Sequence, residues 1–417
     1  MSVADSYQAA FSARAREAEP AWLGLRRRRA IESFRRTGFP SRRSEAWRFS
    51  NLAPLTEQPF PPLAGGVASP ELLALVAAHR IADAANLVLL NGALAAELSD
   101  TLPAGAASLA GAPNQAAFAE EVESGPAALN AAFSGDGLVL HVAAATALER
   151  PLHLIHVTSS QDAASFHVRH LVALGAGARA RLIETHLALG AVHWSSEVTA
   201  IRLEARAELL HAKVVGGSDS LIHLAEETVL VGEHARYEGF FLGLGGRLAR
   251  QDLTVRLGPK GDCAVGGLFL LRGEEEATLA STIHHDAPGG TTREIFKSVL
   301  HDAAHAIFQG CIRVAPDAQK TNAHQLSQTL LLSERARVDS KPELEILADD
   351  VKCSHGATVG ALDAEQLFYI ISRGIPETQA RSMLVTAFAA SALDSVSDEM
   401  MRRTLAAQLE GWLGRPL

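Results

Sequence analysis

The sequence is poor in cysteine and in aromatic residues. Its three cysteines, Cys263, Cys311 and Cys353, are odd in number and far apart in 417 residues. No disulfide framework is therefore predicted, and a reducing compartment where free thiols persist is favoured. Aromatic residues make up only 5% of the chain. We therefore expect a core built mainly from small aliphatic side chains.

Basic charge and long hydrophobic runs are also scarce. The net charge of −9 argues against nucleic acid or an anionic membrane as the main partner, because both require an excess of lysine and arginine. The arginine-rich stretch at 26–43 is diluted by Glu32 and is interpreted as a solvated helix face. No apolar run reaches the length of a membrane span, and the first twenty residues lack a signal or transit pattern. A cytoplasmic protein is expected.

The usual phosphate-binding loops are absent from the sequence. There is no Gly-x-x-x-x-Gly-Lys-Ser/Thr motif, so another chain must supply the ATP site if the system uses ATP. Gly175-x-Gly177-x-x-Ala180 matches the dinucleotide fingerprint only superficially. That fingerprint must open a helix, whereas the RLIETHLAL that follows alternates like a strand. Nucleotide binding at this position is not predicted.

The chain divides into four regions by composition and periodicity. Residues 1–70 are predicted to be a helical region and linker, because apolar residues recur at spacings of three and four before proline and glycine become frequent. Residues 71–136 form a segment of mixed structure that leads into the core. Residues 137–360 form the core, and residues 361–417 form a C-terminal helical domain.

The core region consists of short runs with alternating apolar residues, such as LVLHVAA, HLIHVTS and ETVLVG. Alternation of this kind is typical of strands. A weak echo (ARARL, ARAEL, ARYEG, AHAIF, ARVDS) recurs about every 27 to 32 residues, with one gap of more than twice that length. A fixed period without helical spacing favours a β-helix solenoid. A β-sandwich is the alternative, but it would not require the recurrent spacing.

Three helices are predicted after the core. LDAEQLFYIISRG has Asp363 near its start and Gly374 as a stop signal. PETQARSMLVTAFAASAL forms the second helix, and SDEMMRRTLAAQLEGWL forms the third, with Ser397 or Asp398 as its N-cap. Helices with apolar faces in this position either cap the solenoid or present a surface to a partner.

The stretch DDVKCSHGATVG places Cys353 two residues before His355. On a strand these two side chains share one face. His324 lies about one repeat earlier, so a small cluster of soft ligands is geometrically allowed, and a nearby imidazolium would favour the thiolate. A metal site and a packed thiol beside a hydrogen-bonded histidine both stay open. No acidic residue lies at triad spacing, which argues against a hydrolytic nucleophile.

His284, His285 and Asp286 form a second candidate metal site, since imidazole and carboxylate suit zinc or iron. Adjacent residues on a strand point to opposite faces, however. We therefore interpret this group as polar residues between coils of the solenoid.

Three stretches resemble a known family. They are SEAWRFSNL (Ser44–Leu52), NGALAAELSDTLPAG, and a block at about 296–390 that contains QKTNAHQLSQTLLLSERARVDSKPELEILADDVKCSHGATVG and LDAEQLFYIISRG. On these motifs the chain is identified as a member of the SufB/SufD family of iron–sulfur cluster assembly scaffolds. CSHGATVG and the moderate length resemble SufD-type members, since SufB-type members tend to be richer in cysteine and to carry Glu where this chain has Gly356. Three cysteines also supply too few thiolates to hold a cluster alone.

The resemblance implies a fold that is mainly β, with a right-handed parallel β-helix core between N-terminal and C-terminal helical domains. It also implies a non-enzymatic scaffold subunit in a complex with a SufB paralogue and the ABC-type ATPase SufC. The nascent iron–sulfur cluster would form at the SufB–SufD interface and be shared with SufB. A reduced flavin in the complex and a homodimer of the isolated chain stay open.

The resemblance also implies roles for particular residues. His355 matches the histidine at the cluster-assembly interface and is a candidate metal ligand completed by the partner chain, whereas the role of neighbouring Cys353 is less defined. Four further residues match an FY-x-x-SRG element beside the ATPase-binding helices and are interpreted as structural or partner-contacting: Phe368, Tyr369, Arg373 and Gly374. Two alternatives are a SufB-type subunit that holds the cluster itself and a β-helix polysaccharide lyase.

Overall fold

The computed structural model describes residues 3–13, 21–111 and 125–414. Its helices are α1 (Val3–Ala13), α2 (Ala21–Thr37), α3 (Ala53–Thr56), α4 (Pro70–His79), α5 (Gly125–Phe133), α6 (Ala364–Ile371), α7 (Glu377–Ala390) and α8 (Glu399–Leu413). Its strands are β1 (Ala85–Leu90), β2 (Ala93–Leu94), β3 (Ala106–Ser108), β4 (Leu138–Val142), β5 (Leu152–Ser160), β6 (Ser165–Leu174), β7 (Arg179–Gly190), β8 (His193–Leu203), β9 (Glu208–Val215), β10 (Leu221–Val231), β11 (Arg236–Gly243), β12 (Leu248–Leu257), β13 (Asp262–Leu271), β14 (Glu276–His285), β15 (Thr291–Leu300), β16 (His305–Val314), β17 (Asn322–Leu331), β18 (Arg337–Ile346) and β19 (Lys352–Gly360).

The strands form a parallel β-solenoid, which confirms the predicted fold class. From β4 to β17 each strand pairs in parallel with the strand two places further along the chain, so odd-numbered and even-numbered strands build two separate sheets. Arg179 aligns with Glu208, and Glu208 aligns with Arg236. One turn of the solenoid therefore corresponds to the period seen in the sequence. β1 already extends the odd sheet by pairing with β5.

A column of left-handed residues lines one side of the solenoid, where the connecting turns stack. Its members have positive φ and are Ala145, Gly177, Arg206, His234, Lys260, Gly289 and Lys320. The amide of each donates to a carbonyl oxygen of the next turn. The Arg206 amide, for example, donates to the Glu233 oxygen at 2.9 Å. The motifs ARARL, ARAEL and ARYEG lie at these turns, which explains the echo in the sequence.

Substitution of Gly177 by Ala is expected to lower the free energy of unfolding by about 1 kcal/mol, because φ is +67° there and L-residues resist that conformation. A new Cβ would meet no atom within 4 Å, so the cost comes from the backbone alone. Gly411→Ala in α8 is the matched control. It should stabilise the protein by about 0.5–1 kcal/mol, because glycine disfavours a helix interior. Urea unfolding of both variants tests the pair, and equal effects at the two positions would contradict it.

Helices cover the outer faces of both sheets. Tyr7 and Phe34 from α1 and α2 pack with Trp194 of β8 against the even sheet. On the other side, Val385 of α7 and Leu405 of α8 pack against the odd sheet. None of the helices in the described ranges combines the length and apolarity needed to cross a bilayer.

Arg250 of β12 fixes the Ser44–Leu52 segment onto the even sheet. Its guanidinium is fully buried, donates to both carboxylate oxygens of Asp252 at 2.6 and 2.8 Å, and donates to Ser50 Oγ at 2.8 Å. It also stacks on the Trp47 ring, with the guanidinium carbon 3.8 Å from the ring centroid. The tryptophan and serine of SEAWRFSNL therefore serve as an anchor for this segment.

Arg250→Lys is expected to destabilise the fold by roughly 2–4 kcal/mol, since an ammonium replaces neither the planar fork nor the stacking, and hydrogen bonds to charged groups contribute strongly. Denaturant unfolding measures the loss. Arg247→Lys is the control, because Arg247 lies three residues away and is exposed, so its effect should stay within about 0.5 kcal/mol. Similar losses for both variants would contradict the anchoring role.

The space between the two sheets is filled mainly by aliphatic side chains, as the scarcity of aromatic residues predicts. A polar layer interrupts this filling within the turns from β5 to β11. We use that name for the following side chains, none of which is more than 5% exposed: His156, His170, Glu184, His186, Glu197, His211, Lys213, His223, Glu227 and Tyr237. The solenoid core is therefore mainly apolar, with a dense group of charged and polar side chains in the turns from β5 to β11.

Candidate functional site

The solenoid ends at β18 and β19. In the described structure β18 pairs only with β16, and β19 pairs only with β17, so the outer edge of each sheet carries unpaired backbone groups. Leu347 and Val359 are 70% and 52% exposed at this end. Unpaired strand edges beside exposed apolar side chains are able to pair with further strands. We call this region the terminal edge.

Cys353 and His355 both lie on β19 at the terminal edge. Cys353 aligns with Ala323 of β17 and packs against the small cluster that contains Ile312 and Val314. Burial raises the pKa of the Cys353 thiol, and a backbone contact with Ala323 opposes this only weakly. The thiol is therefore neutral at physiological pH in the isolated chain.

His355 is exposed and aligns with Gln325 of β17. His324, in contrast, aligns with Ser354, and its Nδ1 lies 2.8 Å from the Ser354 hydroxyl. Because successive residues of a strand point to opposite faces, His324 and His355 do not share a face. His324 therefore does not belong to the cluster of soft ligands that the sequence left geometrically open.

A short network of hydrogen-bonded polar side chains begins at Gln325, the residue aligned with His355, and continues inward. Gln325 Nε2 donates to Glu294 Oε2 at 2.6 Å, and the Ser281 hydroxyl donates to the other oxygen of Glu294. All three residues are buried. Burial raises the pKa of Glu294, and the two hydrogen bonds only partly offset the shift. The sequence interpretation missed this network, although Glu294 lies two residues before the buried Phe296 and therefore on the same face of β15.

The FY-x-x-SRG residues lie on and after α6. Phe368 is 73% exposed, and Tyr369 is also exposed. The guanidinium carbon of Arg373 lies 4.3 Å from the centroid of the Tyr369 ring, so the pair forms a cation–π contact on the helix surface. Gly374 has a φ of +86°, which is typical of a residue that stops a helix. α6 therefore presents an aromatic surface to solvent.

Helix caps follow the predicted pattern. The Asp363 side chain accepts hydrogen bonds from the Glu365 and Gln366 amides and caps α6. Of the two candidates for the third helix, Asp398 is the N-cap and accepts from the Met401 amide at 2.9 Å.

Two weaker candidates are settled by their surroundings. His285 is buried with its Nε2 2.9 Å from the Thr292 hydroxyl, whereas His284 lies on the other face of β14 and is half-buried. The two rings therefore do not share an ion. Gly175 and Gly177 lie in a turn between strands β6 and β7, so no helix follows them.

The polar layer is the largest feature that the sequence interpretation missed. Its signal was present, since Glu184 and His186 continue the alternation of Ala180 and Leu182 and so point into the core. Charged residues in the buried phase of a strand indicate a polar cluster in the core.

The family model described as "SUF system FeS cluster assembly, SufBD core domain" matches residues 156–388. Iron–sulfur cluster assembly protein SufD of Escherichia coli (strain K12) is 30% identical over 392 residues, which cover 91% of this chain and 90% of that protein. A SufBD family protein of Synechocystis is 32% identical over 86% of this chain and 84% of its own length. The chloroplastic protein ABCI7 of Arabidopsis thaliana is 27% identical over 92% and 85%, respectively.

Proposed function

Because the chain belongs to the SufB/SufD family of the SUF iron–sulfur cluster assembly system, we propose that it is a SufD-type scaffold subunit whose terminal edge meets a SufB-type paralogue. The similarity to the SufD protein of Escherichia coli, over 91% of this chain, favours this subunit over a SufB-type one. It leaves no observation in favour of a polysaccharide lyase. In this role the chain is a scaffold and catalyses no reaction itself.

The observation that carries the proposal is the terminal edge with His355 exposed on it. A paralogue built as the same solenoid offers equivalent unpaired strands, so the two sheets can continue into one another across the interface. Exposed Leu347 and Val359 add apolar area to such a contact.

His355 is proposed to hold or orient the nascent cluster, which is the cargo of the system. Imidazole is a suitable ligand for iron, and the remaining ligands would come mainly from the partner's thiolates. Cys353 is a neutral, half-buried thiol. It would contribute only after losing its proton, so His355 is the main contribution of this chain.

A second contact is proposed at α6, where Phe368, Tyr369, Arg373 and Gly374 would meet a SufC-type ATPase. Large exposed aromatic residues are the side chains on which interface energy concentrates. The ATPase would supply the phosphate-binding loop that this sequence lacks. A cytoplasmic location agrees with the free thiols. No flavin is proposed for this chain.

Co-purification separates the two contacts. The chain is co-expressed with the SufB-type and SufC-type proteins and captured by a tag. Val359→Glu should reduce recovery of the SufB-type partner about tenfold while the ATPase is retained, and Phe368→Glu should do the reverse. Val67→Glu is the matched control, since Val67 is 96% exposed and lies far in the sequence from the residues of both surfaces. Recovery of both partners with all three variants would reject the proposed contacts.

Pairing of two copies of this chain through the same edge is the other outcome to measure. Without the paralogue, sedimentation should show a dimer that Val359→Glu dissociates. A wild-type monomer at high concentration would argue against the terminal edge as an interface.

A further inference from the structure

Several atoms of the polar layer have no hydrogen-bond partner among the described residues. They include both ring nitrogens of His186, both ring nitrogens of His223, and one oxygen of Glu197. These residues are at most 2% exposed, so water does not satisfy them from outside. Buried polar atoms are normally paired, and each unpaired one is costly. Such a concentration in one place indicates a missing ligand.

The three residues converge on one point. One donor atom from each of His186, Glu197 and His223 lies within 4.8 Å of the others. His186 Nε2 is 3.3 Å from Glu197 Oε2 and 3.7 Å from Glu184 Oε2. Ligands bound to one ion at about 2.0–2.2 Å are separated by about 3.3–3.6 Å at a tetrahedral edge. The His186–Glu197 spacing therefore fits a shared ion, and the His223 donor lies within 4.8 Å of both.

We infer that His186, Glu197 and His223 hold a divalent first-row transition-metal ion such as Fe²⁺ or Zn²⁺ inside the solenoid. Two imidazoles and one carboxylate are a donor set that both ions accept. Glu184 lies beside them as a neighbouring carboxylate. The site is separate from the terminal edge, and the inference does not rest on the proposed function.

The other oxygens of these carboxylates are already held. Lys213 Nζ donates to Glu197 Oε1 at 2.5 Å, and His211 Nε2 lies 2.6 Å from Glu184 Oε1. Hydrogen bonds of this kind orient ligating carboxylates and leave the second oxygen directed at the ion. Lys213 opposes a bound cation, and so does His211, whose pKa is raised to about 9 because Glu227 and Glu184 outweigh its burial. These two groups stand against three carboxylates, those of Glu184, Glu197 and Glu227.

His170 is excluded as a ligand, although it lies near His156, Glu184 and Glu197. Its Nδ1 accepts a hydrogen bond from the Leu138 amide at 2.9 Å. In the neutral ring the proton is then on Nε2, which has no lone pair for a metal. His223 carries no such restriction, because neither of its ring nitrogens has a hydrogen-bond partner among the described residues. His186 Nε2 faces only the carboxylate oxygens of Glu197 and Glu184, the groups that would surround the ion.

Metal analysis of the full-length chain tests the inference. Because the ligands are buried, the ion is expected to enter as the chain folds and to exchange slowly. The protein is refolded with Fe²⁺ under anaerobic conditions, with Zn²⁺, or with Co²⁺ as a spectroscopic probe, and is then desalted. One ion per chain, visible d–d bands with Co²⁺ and a raised thermal midpoint are expected.

His223→Leu should weaken metal binding at least about tenfold. It should leave the metal-free protein folded, because the replaced ring has no hydrogen bond to lose. His153→Leu is the matched control, since His153 is equally buried on β5 but both of its nitrogens have partners, Asn86 and Thr185. That variant should keep the ion and lose stability.

His355→Ala should also keep the ion, which separates this site from the terminal edge. The inference is overturned if the refolded wild-type chain binds no ion. Retention of the ion by His223→Leu, or its equal loss from His153→Leu, would overturn it as well.

Discussion

Replacement of His355 by Ala is expected to reduce iron–sulfur cluster formation by the co-purified complex about tenfold or more, while the complex stays intact. His355 is exposed on the last strand, and among the described side chains no hydrogen-bond partner occupies its ring. It is therefore available to a ligand that arrives with another chain. Cluster content is measured by absorption and by iron and sulfide analysis after reconstitution.

His324→Ala is the matched control for this experiment. His324 is also exposed, lies one strand away and hydrogen-bonds Ser354, but it points to the other face. Cluster yield should remain close to wild type. Undiminished assembly by His355→Ala, with both partners recovered, would reject the proposed role. An equal loss from both variants would point to a general disturbance of the terminal edge.

Lys213→Met is expected to destabilise the fold by about 3–5 kcal/mol, the cost of leaving buried charges without a partner. Lys213 Nζ lies 2.5 Å from Glu197, 3.6 Å from Glu227 and 3.9 Å from Glu184. Burial favours the neutral amine, but the three carboxylates outweigh it and raise the Lys213 pKa far above its ordinary value. Methionine approximately keeps the volume of the side chain and removes the charge together with the hydrogen bond to Glu197.

The Lys213 prediction is measured as a shift in the urea midpoint, with Lys352→Met as the control. Lys352 is exposed on β19, so its replacement should change the unfolding free energy by no more than about 0.5 kcal/mol. Adding Glu197→Gln to Lys213→Met should recover part of the loss, because one uncompensated carboxylate is removed. A small effect of Lys213→Met, or no recovery in the double variant, would contradict this account.

The solenoid could be predicted from sequence because its signals repeat. Alternation marks each strand, and the left-handed turns return at a fixed interval. The caps of α6 and α8 were equally accessible, since Asp363 and Asp398 act on amides two or three residues away. Local chemistry is sufficient for features of this kind.

Contacts between turns could not be predicted, because they depend on register to a single residue. His324 lies 31 residues before His355, but the local turn aligns Ala323 with Cys353, a spacing of 30. This one-residue difference moves His324 to the opposite face. The polar layer could not be predicted for the same reason, since His186, Glu197 and His223 come from three strands in two sheets.

The one-sided pairing of β18 and β19 has a consequence for how the chain unfolds. In a stack where each turn touches only its neighbours, stability is approximately a sum of nearest-neighbour interface energies. The final turn lacks one such interface, so its amides should exchange with deuterium sooner than those of β10 to β13. A docked paralogue would supply the missing neighbour. Opening of the last turn and binding of the partner would then be coupled in a single equilibrium.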